Sequence, residues 1–405
     1  MGTPKRPVSC FCRLMLVTGV MLASPLFLCA QENDAATATV NSGTEHEAWW
    51  RGITYGGLVS FFYEYNTNDP VPPVNQFRVF DYADNAPRID EAQLVVQRAV
   101  SKNGDFGFRV NFIAGSGVPE VTASYGLFRN NESGEGRHYD LPEFYASYIV
   151  PVGKGLRLDG GKFVTPFGYE NINSYENYND NFSRGFIFGY GLPFTQMGLK
   201  GSYALSGSIT AAVLLTNGCD AVKNLNGKMT VAAELAVTMS RTTSVTVNYL
   251  HGPAEPHNGH DQRALYEAVA TWKMTPRVAL AMDGLYADED HAAPNGSDAI
   301  WKGLAGYVRY GVTKKFSLAF RGEVFADPSG VRTGTAQTLR GFTLTPEYVT
   351  SAHISRLHRE LKHFNGQFVI RGEFRQDFSN VNAFRRGTNQ SDGQFTTAIN
   401  LMYVF

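Results

Sequence analysis

The chain has 405 residues and a formal net charge of −1, which gives no support to a nucleic-acid partner. Charged residues are only 18%, while 41 Gly, 28 Phe and 20 Tyr stand out. Beyond residue 30 no segment approaches the roughly 18 consecutive apolar residues of a membrane helix, so the protein is either soluble or embedded by strands.

In chain order, Lys5, Arg6 and Arg13 flank an apolar run from Leu14 to Leu28, and Leu28-Cys29-Ala30 leads into polar Gln31-Glu32-Asn33-Asp34. This is the pattern of a signal peptide over 1–30, cut after Ala30. Three of the four cysteines lie inside that segment, so Cys219 stands alone and an internal disulfide is impossible. Residues 31–48 are small, polar and patternless, and read as a disordered periplasmic lead-in.

From Trp49 onward a period of two recurs. Ile53, Tyr55, Gly57, Val59, Phe61, Tyr63 and Tyr65 share one face, with Thr54, Ser60 and Glu64 opposite. Phe106, Phe108, Val110 and Phe112 oppose Arg109 and Asn111; Val231, Leu235 and Val237 oppose Glu234 and Thr238. Phe316, Leu318, Phe320, Gly322 and Val324 oppose Arg321 and Glu323; Phe368, Ile370 and Phe374 oppose Arg371, Glu373 and Arg375. The last segment, Gln394–Phe405, alternates likewise and ends on an aromatic residue. Such repetition, with charge confined to one face, identifies two-sided strands. About ten residues per segment suffices for a tilted strand to cross a bilayer, and a spanning strand must belong to a closed barrel because hydrocarbon cannot satisfy its edge groups. The fold expected is all-β: a transmembrane antiparallel barrel over 49–405 with about 16 strands, an even number.

Connector lengths test this independently. Barrels of this kind alternate short periplasmic turns with long extracellular loops. Long connectors are predicted at 66–87, 115–140, 165–194, 218–228, 251–261, 288–299, 327–338 and 376–394. Between them lie Ser101–Gly104, Pro151–Lys154, Ala204–Gly207, Ser240–Thr243, Met274–Arg277 and Val312–Lys315. One connector breaks the rhythm. Between a strand ending near Val349 and another starting at Gly366, Ile354, Leu357, Leu361 and Phe364 have the spacing of a short amphipathic helix.

The central motif is Leu158-Asp-Gly-Gly-Lys-Phe-Val-Thr-Pro-Phe-Gly-Tyr-Glu170, followed by Asn181-Phe-Ser-Arg-Gly-Phe-Ile-Phe-Gly-Tyr-Gly-Leu-Pro-Phe-Thr195. Gly160-Gly161 interrupts the alternation, and a bulge there would return Lys162 to the lumen. Thr165-Pro166 ends pairing, since proline cannot donate to a ladder. The loop beyond it carries Glu170, Glu176, Asp180, Arg184 and several asparagines beside Tyr175 and Tyr178, a composition suited to folding inward and contacting hydrated solutes such as sugars. These motifs, with Tyr55–Asn66, Thr345-Pro346-Glu347 and Ile370-Arg371-Gly372-Glu373, resemble the beta-barrel porin-2 (OmpL-like) outer-membrane family. The insertion at 351–365 departs from the family pattern. The resemblance implies an outer-membrane pore and supplies no set of functional residues.

By this register nine acids face inward: Glu64, Glu91, Glu143, Asp159, Glu234, Glu267, Asp283, Glu323 and Glu373. Five arginines oppose them, Arg109, Arg157, Arg321, Arg371 and Arg375, which predicts a weak cation preference. The pore-lining candidates are Arg109, Lys162, Glu170, Arg184, Glu234, Asp283, Arg321, Glu323, Arg371, Glu373 and Arg375. No catalytic residue, metal site or cofactor is expected. All histidines fall in the lead-in or in connectors, which disfavours the rival of an outer-membrane lipid hydrolase using Ser and His. His251, His257, His260 and Asp261, like Asp288–His291, are spaced as metal ligands can be, but loop histidines are more often solvated. A non-conducting barrel acting as adhesin or scaffold shares the same strand pattern. The expected partners are outer-membrane lipid, small hydrophilic solutes or ions, and further copies of the chain.

Overall fold

The computed structural model describes residues 49–118, 126–129, 136–353 and 365–405. The expected signal peptide, the lead-in and the helix at 354–364 lie outside the described residues. After a single 3-10 turn, Trp49–Gly52, the strands are β1 (Ile53–Asn66), β2 (Arg88–Arg98), β3 (Phe106–Ala114), β4 (Tyr139–Val150), β5 (Leu156–Val164), β6 (Thr195–Ala204), β7 (Ile209–Thr216), β8 (Thr230–Thr238) and β9 (Thr243–Gly252). There follow β10 (Arg263–Lys273), β11 (Val278–Glu289), β12 (Ala299–Gly311), β13 (Phe316–Asp327), β14 (Gln337–His353), β15 (Asn365–Ser379), the short ribbon β16 (Phe384–Arg386) and β17 (Asn389–Ser391), and β18 (Gly393–Val404).

All but the β16–β17 ribbon form one closed antiparallel barrel in which each strand pairs with its sequence neighbour and β18 returns to β1. At the seam Leu58 pairs with Val404, and the amides of Gly57 and Phe405 each donate to the other's carbonyl at 2.9 Å. The aromatic terminus therefore completes the ladder and leaves no edge unpaired.

The outer face is apolar in bands. Tyr249, Tyr266 and Tyr286 form a row of neighbouring rings, with centroids 5.0 and 6.4 Å apart, toward the long-loop end. Phe368, Tyr403 and Phe405 form another at the short-turn end, at 5.1 and 5.8 Å. Between them Val247, Leu304, Val324, Leu344, Ile370 and Leu401 are exposed. Two aromatic girdles around an aliphatic belt match a bilayer's two interfaces and its hydrocarbon core.

Three local expectations are corrected. The β14–β15 pairing holds one register from Leu339↔Ser379 to His353↔Asn365, so β14 continues past Val349 and the insertion does not disturb the strands. His251 lies on β9, exposed on the outer face beside Tyr249, and His353 ends β14, so two histidines do sit on strands among the described residues. No pairing shift occurs at Gly160-Gly161. Instead Gly161 adopts a φ of +139°, which re-aims Lys162 inward. The bulge lies one strand away, where the β3–β4 register slips between Asn111 and Ile113 and turns both Asp140 and Glu143 inward.

Candidate functional site: the loop-filled lumen

The long connector after β5, residues 165–194, lies inside the barrel. Its two halves meet two chemically different walls. The first half meets polar strands. From β2 Gln93 donates to the Asn173 carbonyl at 2.8 Å, and from β3 Arg109 reaches Glu176 at 2.9 Å. On β13 Arg321 reaches Glu170 at 2.6 Å and the Ser183 carbonyl at 2.7 Å. On β15 Arg371 donates to the Asn179 carbonyl and Arg375 to the Arg184 carbonyl, both at 2.7 Å. Acids on the same wall take the loop's amides: Glu373 accepts from Phe182 and Ser183 at 2.6 and 3.0 Å, and Glu323 accepts from Phe186 at 2.6 Å. Asp283 on β11 accepts from Tyr169 at 3.0 Å. A loop bonded to β2, β3, β11, β13 and β15 of a closed barrel necessarily crosses its interior.

The second half packs on an apolar wall that alternation alone did not anticipate. Leu214, Leu250, Leu265, Leu285, Trp301 and Phe325 belong to one buried cluster with the loop's Phe186, Ile187, Phe188 and Leu192. A π-helical turn, Ile187–Gly191, brings these side chains to the wall. Trp301 Nε1 donates to the Gly191 carbonyl at 3.2 Å, and the Arg263 and Arg332 guanidiniums flank its ring at 5.4 and 5.1 Å. Aligned this way, cations add to the attraction beyond burial of the indole.

A second long connector, 67–87, reaches in from above. Arg78 bridges Asp377 at 2.8 Å and Asp81 at 2.5 Å, and Phe80 stacks on Phe188 with centroids 6.0 Å apart while Arg184 lies 4.8 Å over Phe80. Asp220, in the connector after β7, accepts the Phe194 and Thr195 amides at 2.8 and 2.9 Å. The long loops thus brace one another and the wall.

Every sequence-derived candidate faces the interior and is buried: Arg109, Lys162, Glu170, Arg184, Glu234, Asp283, Arg321, Glu323, Arg371, Glu373 and Arg375. Most carry a partner of opposite charge or a backbone group of the inserted loop; Lys162 sits 2.8 Å from Asp140, and Arg375 sits 2.8 Å from Asp377. Glu234 faces inward from β8. The sequence reading missed Arg78, Asp377, Trp301 and the triad in which Arg309 joins Asp180 at 2.5 Å and Glu347 at 2.7 Å. Alternation extended two residues past Arg375 would have found Asp377; nothing local marks Trp301 as inward.

Among the polar contacts of the long loops is His291 Nδ1 to Asp261 Oδ1 at 3.0 Å. Hydrogen bonding to Asp261, and then its charge, raises the His291 pKa above the ordinary 6.5. Among the described residues no three His, Cys, Asp or Glu side chains converge as metal ligands. Cys219 is a free thiol, packed beside the buried cluster.

A closed sixteen-strand barrel, apolar outside and carrying an inserted loop within, is the build of an outer-membrane channel protein. The family model described as "Putative beta-barrel porin-2, OmpL-like" matches residues 52–405, and the chain belongs to that family. It is an outer-membrane porin, a passage for passive diffusion. No curated protein sequence matches the chain. Solved structures share the fold at low identity. The outer-membrane channel DcaP of Acinetobacter baumannii is 9% identical, with 87% of this chain and 97% of that one covered at a TM-score of 0.53. An anion-selective porin from Comamonas acidovorans is 11% identical over 87% and 99%, with a TM-score of 0.54. OprB of Pseudomonas putida is 11% identical over 88% and 94%, also at 0.54.

Proposed function

We propose that small hydrophilic solutes and ions cross this barrel through a constriction formed by the inserted loop 165–194, with the buried charged residues named above as its wall. The observation that carries this reading is the Arg321–Glu170 contact at 2.6 Å, which ties the loop to the far wall where solutes must pass. The alternation of short turns and long loops supports an orientation with the short turns in the periplasm and the long loops outside the cell. In the interior the nine-to-five excess of acids supports a weak cation preference, since among the described residues four of the nine, Glu64, Glu143, Asp159 and Glu323, sit in ion pairs and five do not. The chain acts without catalysis or cofactor.

The burial that supports a constriction also favours a second reading, a barrel that stays closed and serves as adhesin or scaffold. Planar-bilayer recordings separate the two. The intact chain is expected to give discrete conductance steps, and deleting 172–182 is expected to enlarge them. Unchanged steps after the deletion would remove the loop from the solute path; no steps in either form would favour the closed barrel.

A further inference from the structure

Below the inserted loop, a cavity of about 980 Å³ separates its tip from the turns of the short-turn end. Its roof is the loop segment that includes Tyr169, Asn171, Tyr178 and Asp180, and its rim is the turns after β10 and β12. Volume of this order lies at the upper end of small-molecule sites.

The polarity of the cavity is ordered by depth. At the inner end, Glu347 is 1% exposed, and its Oε1 is engaged by Arg309 at 2.7 Å and Ser317 at 3.2 Å. Its other oxygen, Oε2, is buried without a hydrogen-bond partner, and so is Oδ1 of Asn171. A buried acceptor left unpaired is costly, so each of these two atoms would gain from a donor brought by a ligand. Both atoms only accept, so they call for donors, and the cationic rim turns away ammonium groups, which points to hydroxyls. The rings of Tyr169 and Tyr178 line the same space and offer flat faces to carbon–hydrogen surfaces. At the rim the sign reverses: Lys273, Arg277, Lys314 and Lys315 line the opening, are exposed, and form no ion pair among the described residues. Acceptors and aromatic faces within, free cations at the mouth, describe one ligand class, a hydroxylated organic anion.

We propose that this periplasmic vestibule binds sugar acids, with the hydroxyl groups on Glu347 and Asn171 and the carboxylate held by the rim lysines. The proposal rests on the orientation given under the proposed function and adds the solute class to it. Such a ligand would dwell in the vestibule and slow the ion current from that side.

The test uses the full chain refolded in detergent, titrated calorimetrically at low salt with gluconate, glucose and acetate. Gluconate is expected to bind at least tenfold tighter than either control. Lys314→Ala combined with Lys315→Ala, both exposed on a turn, should weaken gluconate about tenfold and leave glucose unchanged. Asn171→Ala, which removes an oxygen that bonds nothing in the fold, should weaken gluconate severalfold. Gluconate binding no tighter than acetate, or binding insensitive to both substitutions, overturns the site. In bilayers, gluconate should reduce the potassium chloride current from the periplasmic side only, and block from the loop side alone overturns it as well. Loss of all chloride current would instead count against the porin reading, while calorimetry still decides the vestibule.

Discussion

Arg321 and Glu170 are 151 positions apart in the chain, yet their side chains meet at 2.6 Å with neither open to water. Arg321 also donates to Ser183 and Thr343 and neighbours Glu323 at 3.2 Å, so one guanidinium holds the inserted loop to β13. Arg321→Ala strands two acids in the interior. Breaking a buried pair from one side costs about 3–5 kcal/mol. The expected outcome is a barrel that still closes, with a lower unfolding midpoint in urea and larger, noisier single-channel steps. Conductance equal to that of the unaltered protein would show that this contact does not set the passage.

Trp301 anchors the other half of the loop. Trp301→Ala removes an indole that is 1% exposed and leaves the Gly191 carbonyl without its donor. Large-to-small changes of this size cost about 3–5 kcal/mol. Urea refolding into detergent should register a loss in that range, with Trp301→Phe falling between. A loss below about 1 kcal/mol for the alanine variant would mean the apolar wall is not packed against the loop.

Gly161 has no room for a side chain. At a φ of +139° a Cβ would lie 2.3 Å from the Phe144 carbonyl oxygen on the paired strand. Gly161→Ala is expected to cost about 1–3 kcal/mol in strain and to turn Lys162 away from Asp140. The readout is the temperature at which boiled and unboiled samples converge in electrophoretic mobility, which should fall. An unchanged temperature would contradict the assigned backbone.

Phe320 and Arg321 are neighbours on β13 that face opposite solvents, the first 42% exposed on the outside and the second fully buried within. An arginine facing lipid near mid-membrane costs about 2–4 kcal/mol. Phe320→Arg should therefore lower folding efficiency into vesicles by that margin, while Phe320→Leu is tolerated. Equal folding of the two variants would place this face outside the hydrocarbon.

His291 supplies a pH dependence in the outer loops. Its folded pKa is raised by Asp261, so its contribution is present at pH below the ordinary 6.5 and is lost as pH rises through the raised value. Asp261 has its pKa lowered, first by Asn258 and then by His291, so its share is lost as pH falls through that depressed value. A proton NMR titration in micelles should place the His291 midpoint above 6.5, and Asp261→Asn should bring it back. A midpoint at or below 6.5 in the unaltered protein would break the contact.

The barrel could be read from the order of residues alone. Alternation is a local property, because successive side chains leave a strand on opposite faces, and a bilayer punishes each wrong residue singly. Phe320 and Arg321, Ile370 and Arg371, Phe374 and Arg375 could therefore be sorted correctly from their neighbours alone. The long-short rhythm of connectors was legible for the same reason, and so was the candidacy of Glu170 and Arg184, which lie in the most polar stretch of the longest loop. What fills the barrel could not be read this way. Inward positions such as Leu214, Leu250 and Phe325 break the polar rule because Phe186, Ile187 and Phe188 cover them from a loop far away in sequence. Which acid meets which arginine, and that Gly161 turns the chain through its own φ while the bulge falls on β4, depends on strand stagger and loop path around a closed ring. Those are set by contacts between distant segments, and a pattern of period two carries no record of them.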